Sequence, residues 1–215
     1  PLAPTEIKGP WSMEKMWMPR WDGQPAFMLP PICNIEDGNS GVAYYPGTGL
    51  NASYFGQIFI CHFKGAFARS GINTYLVKPK GASYEIADSK VFVSTVLPTD
   101  VRFGPDGKVY LSDWSDGYDQ SKKGRIYTIS DPQHVNDPLV KETQQLHGGD
   151  WTKRSADELA RLLGHADWRV RLEAQYTLAE RGDASIPVLA KVATTPAPAA
   201  VELGNPANLP AFARR

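Results

Sequence analysis

The stretch Thr99-Asp-Val-Arg-Phe-Gly-Pro-Asp-Gly-Lys-Val-Tyr-Leu-Ser-Asp-Trp114 decides how this chain is read. Two short runs of β-branched and aromatic residues flank Gly104-Pro105-Asp106-Gly107. Proline presets φ for a turn, aspartate can bond its own backbone, and glycine accepts positive φ. The stretch is therefore a β-hairpin. An earlier segment, Ser40-Gly-Val-Ala-Tyr-Tyr-Pro-Gly-Thr-Gly49, resembles Thr99–Gly107. Each copy is followed by a β-run, Gln57–Phe63 in the first and Lys108–Trp114 in the second. Each then reaches a glycine-led strand, Gly71-Ile-Asn-Thr-Tyr75 and Gly124-Arg-Ile-Tyr-Thr128. A further run from Tyr84 to about Ser94 extends the first copy alone. A repeated unit of three to four antiparallel strands predicts propeller blades, and about four to eight of these close a ring. Two blades cannot close one. The second copy also lacks its outer strand, so a strand from elsewhere has to complete it.

After Asp131-Pro132 the β pattern stops. Ser155-Ala-Asp-Glu158 is a capping box, with Leu159, Leu162 and Leu163 following at helical spacing. Asp167 caps a second helix running to about Arg181, with Gly182 past its end. A weaker helical run starts near Ile186. The expected fold is mainly β, a partial six-bladed-type propeller of two blades, with a small C-terminal α-helical segment. Its parts are an irregular covering segment at 1–39, blades at 40–132, a linker at 133–154, helices at 155–193 and a Pro/Ala-rich tail at 194–215. The opening segment holds seven prolines before residue 40 together with Trp11, Trp17 and Trp21, which points to ordered packing without regular elements.

Composition narrows the function. The 215 residues carry 23 basic and 23 acidic side chains, and this zero net charge gives no footprint for a nucleic-acid partner. No run reaches the length of apolar residues needed to span a membrane. The chain opens on Pro1, which reads as a mature form, a processed product or a fragment. Cys33 and Cys61 are the two cysteines, read either as one bridge in an oxidising compartment or as two separate buried thiols. Asp113, Asp116 and Asp119 cluster in one loop. They form a candidate oxygen set for calcium, set against the plainer reading of a solvated acidic loop. His147 and His165 are expected at the surface, and His62 is expected to be structural.

Four motifs in order, Ser40–Tyr45, Ile58-Phe-Ile60, Thr99–Tyr110 and Gly124–Tyr127, resemble the last two blades of the soluble quinoprotein glucose/sorbosone dehydrogenase family. That resemblance implies a propeller binding pyrroloquinoline quinone and calcium, with Lys64 and Asp100 at the quinone. Where the family carries two arginines before the aspartate, this chain has Leu97 and Thr99. The quinone is a tricarboxylate suited to bidentate arginine forks, so binding in the usual manner is not expected. Residues Leu162–Ala179, with Asp167-Trp-Arg-Val-Arg171 at their centre, resemble a HEAT repeat. The pairing is similar to large exported dehydrogenase-like proteins that usually end in a c-type haem domain, although this chain has no haem attachment motif. The resemblance implies a periplasmic or exported location. Two functions follow as expectations. One is a non-catalytic scaffold or subunit that meets the remaining propeller blades or other protein subunits. The alternative is a fragment of a sugar or alcohol dehydrogenase passing electrons to a c-type cytochrome.

Overall fold

The computed structural model describes residues 38–117 and 122–194, together with the single positions Met13, Ile32, Cys33 and Ile35. The covering segment expected before Asn39 and the tail expected after Thr194 lie outside these residues. Two antiparallel sheets and a set of helices make up the described protein. The first sheet is a four-stranded meander of β1 (Asn39–Tyr44), β2 (Gln57–His62), β3 (Gly71–Lys80) and β4 (Ser83–Ser94), in that spatial order. The second contains β5 (Pro98–Phe103), β6 (Val109–Asp113) and β7 (Arg125–Ile129), again in chain order. Sequential order follows from tight antiparallel connections, such as Gly81-Ala82 between Lys80 and Ser83.

Period-two burial decides which faces meet. Gln57, Phe59 and Cys61 on β2 point inward, as do Val109, Leu111 and Asp113 on β6. One core joins both sheets, built from Tyr45, Phe59, Ile72, Val101, Val109 and Leu111, with Phe92 and Phe103 packed against it. Its centre is aromatic. Phe59 meets Phe103 edge-on at 5.0 Å and Phe92 at 4.9 Å, while Tyr45 meets Phe103 at 5.6 Å. Such geometry contributes about 0.5–1.5 kcal/mol per pair beyond burial.

The edge strands β1 and β5 of the two sheets lie side by side without hydrogen-bonding into one sheet. Ser40 Oγ donates to the Pro98 carbonyl at 2.9 Å. A Cβ on Gly41 would fall 2.5 Å from Asp100 Cα, so only glycine permits this approach. Burial also sets the alignment of the two repeats. Ala43 and Tyr45 face the core as Val101 and Phe103 do, whereas Val42 is exposed. Each strand carries a one-residue register shift near its start, between Asn39 and Val42 in β1 and between Pro98 and Asp100 in β5.

Four α-helices follow: α1 (Pro138–Gly148), α2 (Ala156–Leu162), α3 (Trp168–Glu180) and α4 (Ile186–Thr194). The segment 133–154, expected as a linker, thus carries an eleven-residue helix. Asp137-Pro138 begins it, proline being suited to a position whose N–H has no helical partner. Val140 and Thr143 are buried along it. The capping residues expected for the next two helices act as expected. Ser155 Oγ accepts from Glu158 N at 3.1 Å, and Asp167 Oδ1 accepts from Arg169 N at 2.9 Å. Leu159, Ala174 and Leu178 are fully buried together, with Val188 of α4 against them. Among the described residues no helix is long and apolar enough to cross a membrane.

Candidate functional site

The residues singled out from the sequence fall at the strand ends and do different jobs there. Lys64 follows β2 and is half-buried. Its N–H donates to Ser70 Oγ at 2.9 Å, which closes the loop over Phe67–Arg69. Asp100 lies on β5 beside Gly41, and its carboxylate pairs with Arg102 at 3.0 Å. Asp113 ends β6 with a side chain 1% exposed. Its Oδ1 accepts the Leu97 N–H at 2.7 Å and its Oδ2 lies 3.6 Å from Arg125. The Trp114 N–H returns to the Leu97 carbonyl at 2.9 Å. Asp113 thereby fixes the entry of β5 against the exit of β6. Trp114 also stacks on Phe63 at 5.5 Å, tying the loop after β6 to the loop after β2.

The acidic loop does not converge. Asp113 is buried, whereas Asp116 is exposed with φ of +62°. Asp119 lies outside the described residues. Among the described residues no group of three or more histidine, cysteine, aspartate or glutamate side chains is placed to hold a metal. The cysteines do not pair: Cys33 is exposed and Cys61 is buried on β2. Burial pushes the Cys61 thiol up to about 12. His62 is 7% exposed on the same strand.

The most constrained polar cluster sits where the helices meet the sheets. Asp167 is fully buried. Its Oδ2 accepts from Thr48 Oγ1 at 2.6 Å and from Arg169 Nη2 at 2.7 Å, and its Oδ1 accepts from Arg169 Nε at 3.0 Å. Arg169 Nη1 reaches on to the Phe103 carbonyl at 2.6 Å, and the Trp168 N–H to the Pro46 carbonyl at 3.0 Å. The start of α3 thus grips the two equivalent turns of the β repeat, one after β1 and one after β5. Burial by itself would raise the Asp167 carboxyl, but the hydrogen bonds and charge of Arg169 hold it below its ordinary value. Arg171 completes the junction by donating to the carbonyls of His165 and Ala166 at 2.6 and 2.9 Å.

His165 was expected at the surface and is instead 9% exposed. Its Nδ1 accepts the Asp167 N–H at 3.0 Å, which puts the ring proton on Nε2. Burial lowers its pKa, opposed by the Glu142 carboxylate. His147 is half-buried and lowered for the same first reason. His147 lies on α1 itself, and residues of α1 share a groove lining with His165. Helix α1 also creates a groove of about 990 Å³ against α2. Leu139, Glu142 and Leu146 of α1 form one wall, Glu158, Arg161 and Leu162 of α2 the other, and His165 closes the end. Sequence reasoning missed this groove because it missed α1. The Asp137-Pro138 start and the spacing of Leu139, Glu142 and Leu146 were the available signals.

No family's sequence profile matches this chain, and neither a curated protein nor a solved structure shows significant similarity to it.

Proposed function

We propose that this chain is a non-catalytic scaffold or subunit of a larger exported assembly built on a dehydrogenase-like propeller. In this reading the two meanders are consecutive blades. The α2–α3 pair is a HEAT-like unit fastened to them. The edge of β7, where Ile126 is 77% exposed, is the place where a strand from another part of the assembly completes the second blade.

One observation carries the non-catalytic part. Leu97 stands where the resemblance expects a quinone-binding arginine, and it is 3% exposed with its N–H committed to Asp113. An apolar side chain enclosed there offers no donor to a carboxylate. Asp113 and Asp100 are spent on strand register and on Arg102, which is structural work. The exported location rests on the resemblance alone, since the two thiols stay unpaired.

The test is titration of the purified chain with pyrroloquinoline quinone and calcium, followed by addition of sugar and an artificial electron acceptor. The expected result is an unchanged quinone spectrum and no acceptor reduction. Saturable binding with sugar-dependent reduction would overturn the proposal and restore the dehydrogenase reading, with a c-type cytochrome as the natural acceptor.

A further inference from the structure

From the packed face of α1 we infer that this helix is an acid-released element, docked on the β5–β6 turn and α3 near neutral pH and freed when His147 takes up a proton. Release of one helix is independent of whether the assembly catalyses anything.

For an amphipathic helix the packing of α1 is inverted. Leu139 and Leu146 are only half-buried and line the open groove. The inward side carries Val140, Thr143 and His147, spaced to share one face. Val140 meets the β5–β6 turn, where a Cβ on Gly107 would fall 2.8 Å from Val140 Cγ1. Thr143 is fully buried. Among the described residues neither Thr143 Oγ1 nor His147 Nε2 has a hydrogen-bond partner, although both atoms are enclosed. A helix seated on one valine and two unpaired polar atoms gains little from burial and loses hydration at both polar sites. Its ends are lightly held as well. The Asp137 side chain makes no cap bond, and at the other end Arg154 Nη2 reaches the Leu146 carbonyl at 3.4 Å.

His147 is the group on that face whose charge changes near neutrality. Asp167, Arg169 and Glu173 act on it from the start and middle of α3, and His165 from the loop before them. Trp151, with Arg154 over its ring, stands beside it after the helix ends. Glu142 of α1 itself lies on the groove wall. Asp167 is already paired with Arg169 at 2.7 Å. Burial first, and then Arg169, holds the imidazole below its ordinary value, against Asp167 and Glu173. A proton on docked His147 puts a charge beside an enclosed Nε2, whereas on the released helix water solvates it. The released state therefore binds the proton more strongly. Docking is fully favoured above the ordinary histidine value of 6.5 and weakens as pH falls through the lower docked value.

Hydrogen exchange of the full chain, read residue by residue and corrected for the intrinsic rate at each pH, tests this. Amides of residues 142–148 in α1 are compared with those of 172–178 in α3 at pH 7.5 and pH 5.5. The expected result is that α1 is protected at pH 7.5 but less so than α3, and that its protection falls about threefold or more on acidification. His147→Gln, which keeps a neutral polar side chain, should remove that pH dependence. Thr143→Val should raise α1 protection at both pH values and keep the pH dependence, because it removes an unpaired hydroxyl and leaves His147 in place. Equal protection of α1 and α3 at both pH values overturns the inference, since α1 then opens only with the whole protein. So does an α1 unprotected already at pH 7.5, or a pH dependence that survives His147→Gln. The comparison of the two helices needs no substitution, so it decides the matter even where a variant fails to fold. Each of these failures leaves the scaffold reading standing, since quinone titration decides that separately.

Discussion

Thr48 and Asp167 stand 119 residues apart and share a 2.6 Å hydrogen bond. They are 4% and 0% exposed. The bond joins the turn after the first strand to the cap of α3, so a single carboxylate starts a helix and docks it.

Asp167→Ala removes the cap, leaves the Thr48 hydroxyl without its acceptor and strands the Arg169 guanidinium. Losing one partner of a buried, hydrogen-bonded pair costs about 3–5 kcal/mol. Thr48→Val removes only a neutral donor and should cost about 1 kcal/mol. Urea unfolding of both variants checks the order. Equal losses would mean that the junction is not held by this carboxylate.

The same cluster sets an acid limit. Asp167 lies below its ordinary value of 3.8 in the folded protein. Its contribution is therefore fully present above that pH and is lost as pH falls through the lower folded value. The histidines act at higher pH and in the same sense. His165 and His147 are lowered from 6.5, so the unfolded chain takes up their protons first. Stability should be flat from about pH 6.5 to about pH 8, below the range where the unfolded Cys61 thiol ionises, and should fall below about pH 6.5. In His165→Asn with His147→Asn the slope between pH 7 and 5 should shrink. Superimposable slopes for the two proteins would refute the assignment.

The turns of the two repeats touch back to back. A Cβ on Gly49, at φ of +96°, would lie 2.2 Å from the Gly107 carbonyl oxygen. Gly81, at φ of +59°, has nothing within 4 Å. Gly81→Ala should cost about 1 kcal/mol of backbone strain alone. Gly49→Ala must in addition push two backbone segments apart and should cost several times more. Comparable thermal midpoints for the two variants would contradict this packing.

The thiols should differ sharply. Cys33 is exposed, and Cys61 is buried with its pKa pushed up to about 12. A thiol reagent at pH 8 should label one cysteine of the folded protein quickly and the second only on unfolding, because the thiolate is the reactive form. Fast labelling of both would show that β2 opens readily.

The sequence by itself determined the local elements. Alternating β-branched and aromatic residues marked all seven strands, and Gly104–Gly107 marked the hairpin between β5 and β6, because turn chemistry acts within four residues. Ser155 and Asp167 marked two helix starts for the same reason. Tertiary structure decided the rest. That Asp167 turns back to Thr48, and Arg169 to Phe103, depends on which surfaces meet, and no spacing along the chain encodes that. The groove beside His165 depends on where α1 comes to rest. Asp113 and Asp116 share a loop in sequence but one is enclosed and the other faces solvent, because a strand ends between them. Propensity is a property of neighbours along the chain, whereas burial and pairing are properties of neighbours in space.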